Sequence, residues 1–393
     1  MKKSFLLAAA LGAAVVTSCS KDETTGVNTG KGITFNAFTN NMTRVAGVTE
    51  KTMGSFKVHA LTQADGYSFT DVVSSSDEGV TWKPAYTHYW PSEETAEMHF
   101  YGYSPADLAS AFKSAPTVEI DVNNIETGNS VKGIVPKTHA DEQADFVISY
   151  AKGTRQANEA SGVTMNFKHA LSQIVVQAKC SNENMKVEVV GVKIAGANGS
   201  GDLALPTDTQ KETTLADNIW TTKTPASYMA GGKTTEGLVT LTSENQDIMF
   251  SEGGFMLLPQ QLTAWNETAE KSGAYISVLC RISQNDGSGT FNQLFPSKED
   301  AFGFAAVPVS TKWEAGKKYT YNLEFFGENG GGGVTDPDPT DPTDPSEPDP
   351  DKPVIDPEEP GGEPVVGGPI RFDVTVDEWN PVTQDTPMGP SGD

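Results

Sequence analysis

The sequence predicts an all-β protein: two tandem β-sandwich domains, then an acidic Pro-rich linker and an isolated C-terminal strand. Three observations carry this. From Ile33 to Phe326, short segments rich in Val, Ile, Phe, Tyr and Thr alternate with clusters of Gly, Asn, Asp and Ser. Sustained 3.6-residue periodicity is rare along the same stretch. The body of about 290 residues is large for one sandwich and comfortable for two.

The chain of 393 residues opens with Met1–Lys2–Lys3 and an apolar run from Phe5 to Val16. That run is too short to span a bilayer, which takes about 20 residues, and fits the apolar region of a signal peptide. Val16–Thr17–Ser18–Cys19 follows. Small residues before a Cys resemble a lipobox, in which cleavage leaves Cys19 first and lipidated. Residues 1–18 are then a lipoprotein signal peptide. Several acyl chains at about 0.8 kcal/mol per buried CH₂ make a firm anchor. Ser20–Lys21–Asp22–Glu23 looks like the acidic signal that sends some lipoproteins to the outer leaflet of the outer membrane.

Residues 19–44 read as a propeptide with one strand, in which Ile33, Phe35 and Ala37 share a face. The body divides near the Gly-, Ala-, Asn- and Ser-containing stretch Ala151–Gly162, giving 45–160 and 161–326. Strand examples include Ser55–Thr62, Thr117–Val122, Gln173–Lys179, Tyr275–Ile282 and Tyr319–Phe325. The best helix candidate is Ser104–Ala115: Ser104 as cap, Pro105 at the first position, Leu108 and Phe112 on one face, Pro116 as stop. Cys180 and Cys280 lie on the apolar phase of their strands; they either pair or remain buried thiols.

Residues 327–369 hold twelve acids, one base and eleven of the 24 prolines. Such a segment is expected to stay disordered. In extended form its roughly 40 residues reach on the order of 100 Å. Beyond it, in 370–393, Ile370, Phe372, Val374 and Val376 alternate with polar residues. A lone strand of this kind needs a sheet. Ile33–Thr34–Phe35–Asn36–Ala37 and Ile370–Arg371–Phe372–Asp373–Val374 share pitch and side-chain size, so one groove suits both.

The net charge of −24 argues against nucleic acid, whose affinity rests on Lys and Arg. The chain has four Arg: Arg44, Arg155, Arg281 and Arg371. An Arg-specific protease cutting between Arg44 and Val45 would remove the lipidated N-terminus with its strand. The C-terminal strand of another copy would then fill the vacated groove by strand addition. Head-to-tail exchange of this kind does not close, and builds a filament.

The chain resembles the fimbrillin-like lipoproteins, subunits of the protease-assembled pili of some Gram-negative bacteria. The matching residues are the lipobox at Cys19, Ile33–Phe38 with Thr43–Arg44, Tyr89–Trp90–Pro91, and His99–Pro105. Asp145–Tyr150, Phe167–Ser172, Leu257–Gln260 and Trp313–Tyr319 continue the pattern. The resemblance implies transthyretin-like sandwiches, export as a lipoprotein, cleavage after Arg44 and polymerisation by donor-strand exchange. Residues Ile33, Phe35 and Ala37 would form the displaced strand. Ile370, Phe372, Val374 and Val376 would form the donor. Expected partners are other pilus subunits, the processing protease, the outer membrane through the lipid before cleavage, and a host receptor. The long linker departs from the usual stalk pattern. A tethered strand reaches millimolar effective concentration and can dock in its own molecule, which gives the alternative of a monomeric surface lipoprotein that binds host glycans or proteins.

Catalytic chemistry is not expected. The five His (His59, His88, His99, His139, His169) form no H-x-x-x-H pair, and no G-x-S-x-G or phosphate-loop pattern occurs. No cofactor or metal is expected; the acidic tail lacks the ligand spacing of an EF-hand. Tyr86, Tyr89, Trp90, Tyr101 and Tyr103 read as core plus rim aromatics. Replacing Cys19 by Ser is expected to move the protein to the soluble fraction on detergent-free fractionation; unchanged membrane retention would rule out the lipid anchor.

Overall fold

The structure, a computed structural model, describes residues 30–39, 53–63, 66–76, 81–207, 209, 215, 219–266, 272–342, 352–356 and 361–379. It is almost entirely β. Seven strands make a closed barrel: β1 (Phe35–Thr39), β2 (Ser55–Leu61), β3 (Ser68–Ser75), β4 (Trp82–Pro84), β5 (Met98–Ser104), β8 (Val147–Gly153) and β9 (Val163–His169). Their order is β1-β4-β3-β2-β5-β8-β9, and β1 closes the ring by pairing with β9 in parallel. Alternation sends Phe56, Val58 and Ala60 of β2 into the barrel interior with Trp82 and Phe167.

Two further sheets share one core. The five-stranded sheet holds β10 (Ser172–Cys180), β14 (Gln246–Asp247), β15 (Phe255–Leu257), β21 (Lys317–Phe325) and β23 (Arg371–Glu378). The nine-stranded sheet runs β22 (Val334–Thr335), β19 (Gly303–Pro308), β17 (Tyr275–Asn285), β11 (Met185–Ala204), β7 (Ser130–Ile134) and β6 (Thr117–Glu119). Side strands β12 (Trp220–Gly231), β13 (Val239–Thr240) and β18 (Phe291–Phe295) join it. A small pair, β16 (Gln260–Gln261) with β20 (Lys312–Trp313), stands apart. Ile174, Val176, Tyr321 and Leu323 from the first sheet meet Val187 and Val278 from the second in the shared core. Cys180 and Cys280 lie there as free thiols, and burial pushes the Cys280 thiol well up from its ordinary range.

Four local expectations differ from the structure. The expected division near residue 160 falls inside the barrel's closing segment: β9 belongs with β1 and β8, and the chain changes sheets at Ala170–Leu171. The β6–β7 hairpin lies early in the chain yet pairs with β11, through Leu203↔Val131. Hydrophobic alternation marks strands but not which sheet they join. The expected helix Ser104–Ala115 shrinks to α1 (Leu108–Ala111). Ser104 is committed to the β5–β8 ladder opposite Val147, so Asp107 is the cap and accepts from the Ala109 amide. A second short helix, α2 (Arg155–Asn158), is capped by Thr154.

The fourth difference concerns the linker expected to be disordered. Its described residues pack against the nine-stranded sheet. Segment 331–335 runs out beside 362–369 coming back: Gly332 N–H donates to Val366 O (2.7 Å), Val365 N–H to Gly333 O (2.9 Å) and Thr335 N–H to Glu363 O (2.7 Å). The glycine run allows this closeness; a Cβ on Gly331 would lie 2.1 Å from the Gly368 nitrogen. Further on, Phe302 N–H donates to Val354 O, and Asp356 N–H to Phe302 O. Composition predicted no core for this stretch because it has few apolar residues of its own; it uses the sheet's surface. By hydrogen exchange, the amides of Gly332, Gly333, Thr335 and Val365 are expected to be protected. Exchange at the rate of an unstructured peptide would contradict this packing.

Candidate strand-exchange site

β1 is where the chain's first segment meets the barrel. Ile33, Phe35 and Ala37 are buried while Phe38 faces out, half exposed. Phe35 sits edge-on between Phe56 (5.8 Å, 87°) and Phe100 (5.6 Å, 84°), and burying such side chains contributes about 1.5–3 kcal/mol each. Polar anchors add to this: Ile33 N–H donates to His88 O (2.8 Å), Val163 N–H to Thr34 O (2.9 Å), and Asn36 Nδ2 to Ser161 O (2.7 Å). Gly162, at φ +78°, lets the β9 entry pass this closely, since a Cβ there would lie 3.1 Å from Thr34 Oγ1. The two flanks are unequal. Toward β9 five residues register, Phe35↔Val163 through Thr39↔Phe167, whereas toward β4 only Phe35↔Trp82 does. β1 is therefore a wedge held mainly from one side.

β23 lies in its own molecule, at the edge of the five-stranded sheet. It is antiparallel to β21 over eight positions, from Lys317↔Glu378 to Glu324↔Arg371. Its ends are pinned and its middle is open. Ile370 and Trp379 are buried; Phe372 is 39% and Val376 49% exposed, and Val374 is half-buried. Trp379 stacks on the His169 ring (4.3 Å, 12°), and its N–H donates to Gly316 O (2.8 Å). His169 Nδ1 in turn meets Asp145 Oδ2 at 2.7 Å. Asn322 Nδ2 donates to Asp373 Oδ2 (3.0 Å), and Lys317 pairs with Glu378.

The structure thus places Ile33, Phe35 and Ala37 in the barrel and Ile370, Phe372, Val374 and Val376 on another sheet; it does not bring the two segments together. Cys19, Arg44 and Val45 lie outside the described residues. Sequence reasoning missed the stack of Trp379 on His169. Its signal was present in a Trp just past the strand and a His just before β10, but their distance in sequence hid the contact.

Several of the remaining histidines and acids have local partners. His88 Nε2 meets Asp71 (2.9 Å) and stacks on Phe69, and His139 pairs with Asp141. Burial and the nearby Lys57 push His59 down to about 4, so it is neutral at pH 7. Glu97, His99 and Glu126 come within ligand reach of one another, but Lys152 Nζ already bridges Glu97 (3.2 Å) and Glu126 (2.5 Å). Trp90, Tyr101 and Tyr103 are core residues, and Tyr86 and Tyr89 are exposed.

A family model described as Fimbrillin-like matches residues 25–335, most of the chain and all of the barrel. The chain belongs to the fimbrillin-like family. It is a structural family of fimbrial and adhesion proteins, whose family-level setting is the cell-surface fimbrium and whose natural partners are other pilus subunits. No curated protein matches the chain. Among solved structures, it is similar to a fimbrial protein from Bacteroides vulgatus (12% identity, TM-score 0.48, covering 88% of this chain and 100% of that one). It is also similar to a fimbrial assembly protein from Parabacteroides distasonis (14% identity, TM-score 0.36, covering 75% of this chain and 91% of that one).

The two strands of this fimbrillin-like chain differ in how much burial holds them. Phe35→Ala is expected to lower stability by about 3–5 kcal/mol in chemical denaturation. Phe372→Ala is expected to cost about 1 kcal/mol or less. Equal losses would contradict the contrast between a sealed wedge and an open edge.

Proposed function

We propose that this chain is a structural subunit of a cell-surface fimbrium, exported as a lipoprotein through Cys19 and assembled by donor-strand exchange. In this reading a protease cuts between Arg44 and Val45, and β1 leaves the barrel. The C-terminal strand of another copy then fills the groove beside β9, supporting adhesion as the polymer grows. The observation that carries it is the pairing of a one-sided wedge with a matching strand whose apolar face is unfilled. Ile33, Phe35 and Ala37 are buried in the groove, while Phe372 of the equivalent Ile370–Val374 pattern and Val376 just beyond it stand half exposed. Leaving the edge of β21 costs β23 little apolar burial at its centre; entering the barrel would bury Phe372 in an aromatic box.

The docked position of β23 favours a second reading: a self-complemented surface lipoprotein that ends a polymer or stands alone. Trp379 and Ile370 fix the strand in its own molecule. Asp373 finds an amide donor in Asn322 there, but at the Asn36 position it would oppose the carbonyl of Ser161.

The two readings separate on one experiment. Digestion of the purified protein with an Arg-specific protease is expected to give a new N-terminus at Val45 and heat-sensitive ladders on a denaturing gel. Arg44→Ala should abolish the ladders, and so should deletion of residues 370–393. Cleavage at Val45 without ladders would support the self-complemented protein, and ladders that persist in both variants would overturn donor-strand exchange.

A further inference from the structure

The acidic tail carries several side chains into the interior, Thr335, Asp336 and Asp356 among them. Asp336, directly after β22, reaches Lys193 of β11; Nζ and Oδ2 are 2.8 Å apart, and the two side chains are 0% and 1% exposed. Lys193 stands in register with Ser277 of β17, whose hydroxyl is buried and unpartnered, and its Nζ lies 4.2 Å from the centre of the Phe304 ring. An ion pair taken so far from water regains its desolvation cost only in part.

From this geometry we propose that Lys193 and Asp336 are a self-modification site, where the side chains condense to an intramolecular amide that ties the tail to the nine-stranded sheet. The surroundings fit each step. Lys193 Nζ donates to Asp338 O and Thr340 O. When the ammonium passes its third proton to Asp336, those two carbonyls still hold the remaining N–H groups, and the freed lone pair faces the carboxyl carbon. Asp336 Oδ1 accepts from the Asp338 amide at 2.8 Å, a donor aimed at the oxygen that becomes negative during attack. Oδ2, the oxygen that departs, lies 2.8 Å from Lys193 Nζ, the source of its protons. The hydroxyl of Tyr275 engages the same carboxyl and, pushed up by burial and by the Asp336 charge, stays protonated.

The atoms balance without an oxidant or co-reactant. The N–C bond forms and one C–O bond breaks. Oδ2 leaves with two protons that began on the ammonium, as water, and one N–H remains on the amide. A cleft of about 520 Å³ is lined in part by Pro337 and Asp338, the residues that follow Asp336, and by Tyr275. The bond would place any pull on the C-terminus on a covalent link between the tail and β11, not on the two-residue strand β22.

The test is peptide mass spectrometry on the full chain, purified and digested with trypsin. The expected result is a branched peptide joining Lys193 to Asp336, lighter than the sum of its parts by one water, with cleavage after Lys193 lost. In Asp336→Ala and in Lys193→Arg the peptides should be linear. Linear peptides from the wild-type protein, with Lys193 open to trypsin, would overturn the proposal and leave an ionic latch. A link at Lys193 that survives in Asp336→Ala would overturn the assignment of its partner. The wild-type measurement decides the matter even where a variant folds poorly.

Discussion

An open sheet edge presents a row of unpaired N–H and C=O groups, and this chain covers two such edges with its first and last described strands. The N-terminal strand β1 closes the barrel between β9 and β4, and the C-terminal strand β23 covers the outer edge of β21. Everything else depends on that constraint. Phe35 fills the barrel interior beside Phe56 and Phe100, and β23 lies along the flank of the shared core at Tyr321 and Leu323. The covers are not equivalent. β1 is buried on its inner face along its whole length, whereas β23 is pinned at Ile370 and Trp379 with an exposed middle. Apolar burial, at about 25 cal/mol per Å², therefore favours β1 in place far more than β23 in place.

The described part of the tail between them is packed against the body and contributes the short strand β22. A run of four glycines lets two backbone segments lie side by side, and their hydrogen bonds extend the nine-stranded sheet without side chains. Among the apolar groups of the tail, Val334 packs with the Ala306 cluster and Ile355 with the Phe302 cluster, while Val365 and Val366 pack against the main core. One acid, Asp336, meets the single buried lysine of that face. Among the described acids of the tail, Glu328, Asp338 and Glu363 face solvent, where self-repulsion is screened within about 10 Å at 0.1 M salt. The expected independence from the body does not hold for the described part.

Much of the strand content was legible because alternation is a local signal. The phase Ile174, Val176, Ala178, Cys180 points inward as its pattern requires, and so does Tyr319, Tyr321, Leu323. The inward set Ile33, Phe35, Ala37 was legible for the same reason. The equivalent set in the C-terminal strand was legible as apolar but not as half exposed, because exposure depends on whether a second sheet lies across that face. Helix length was misjudged at Ser104 because a good cap residue was already committed to a cross-strand ladder. His169 and Trp379, 210 positions apart in the sequence, stack only because β10 and β23 both flank β21.

The amino-acid sequence by itself determined the β class, the inward phase of strands such as β1, β2 and β10, the acidic tail and the family. These follow from local spacing, charge and short motifs, which need no partner to be read. Only the tertiary structure decided which sheet each strand joins, that the tail packs back, and that Lys193 faces Asp336. Those outcomes rest on contacts between segments far apart in the chain, where the partner that satisfies a backbone edge or a buried charge is set by topology and not by neighbouring residues.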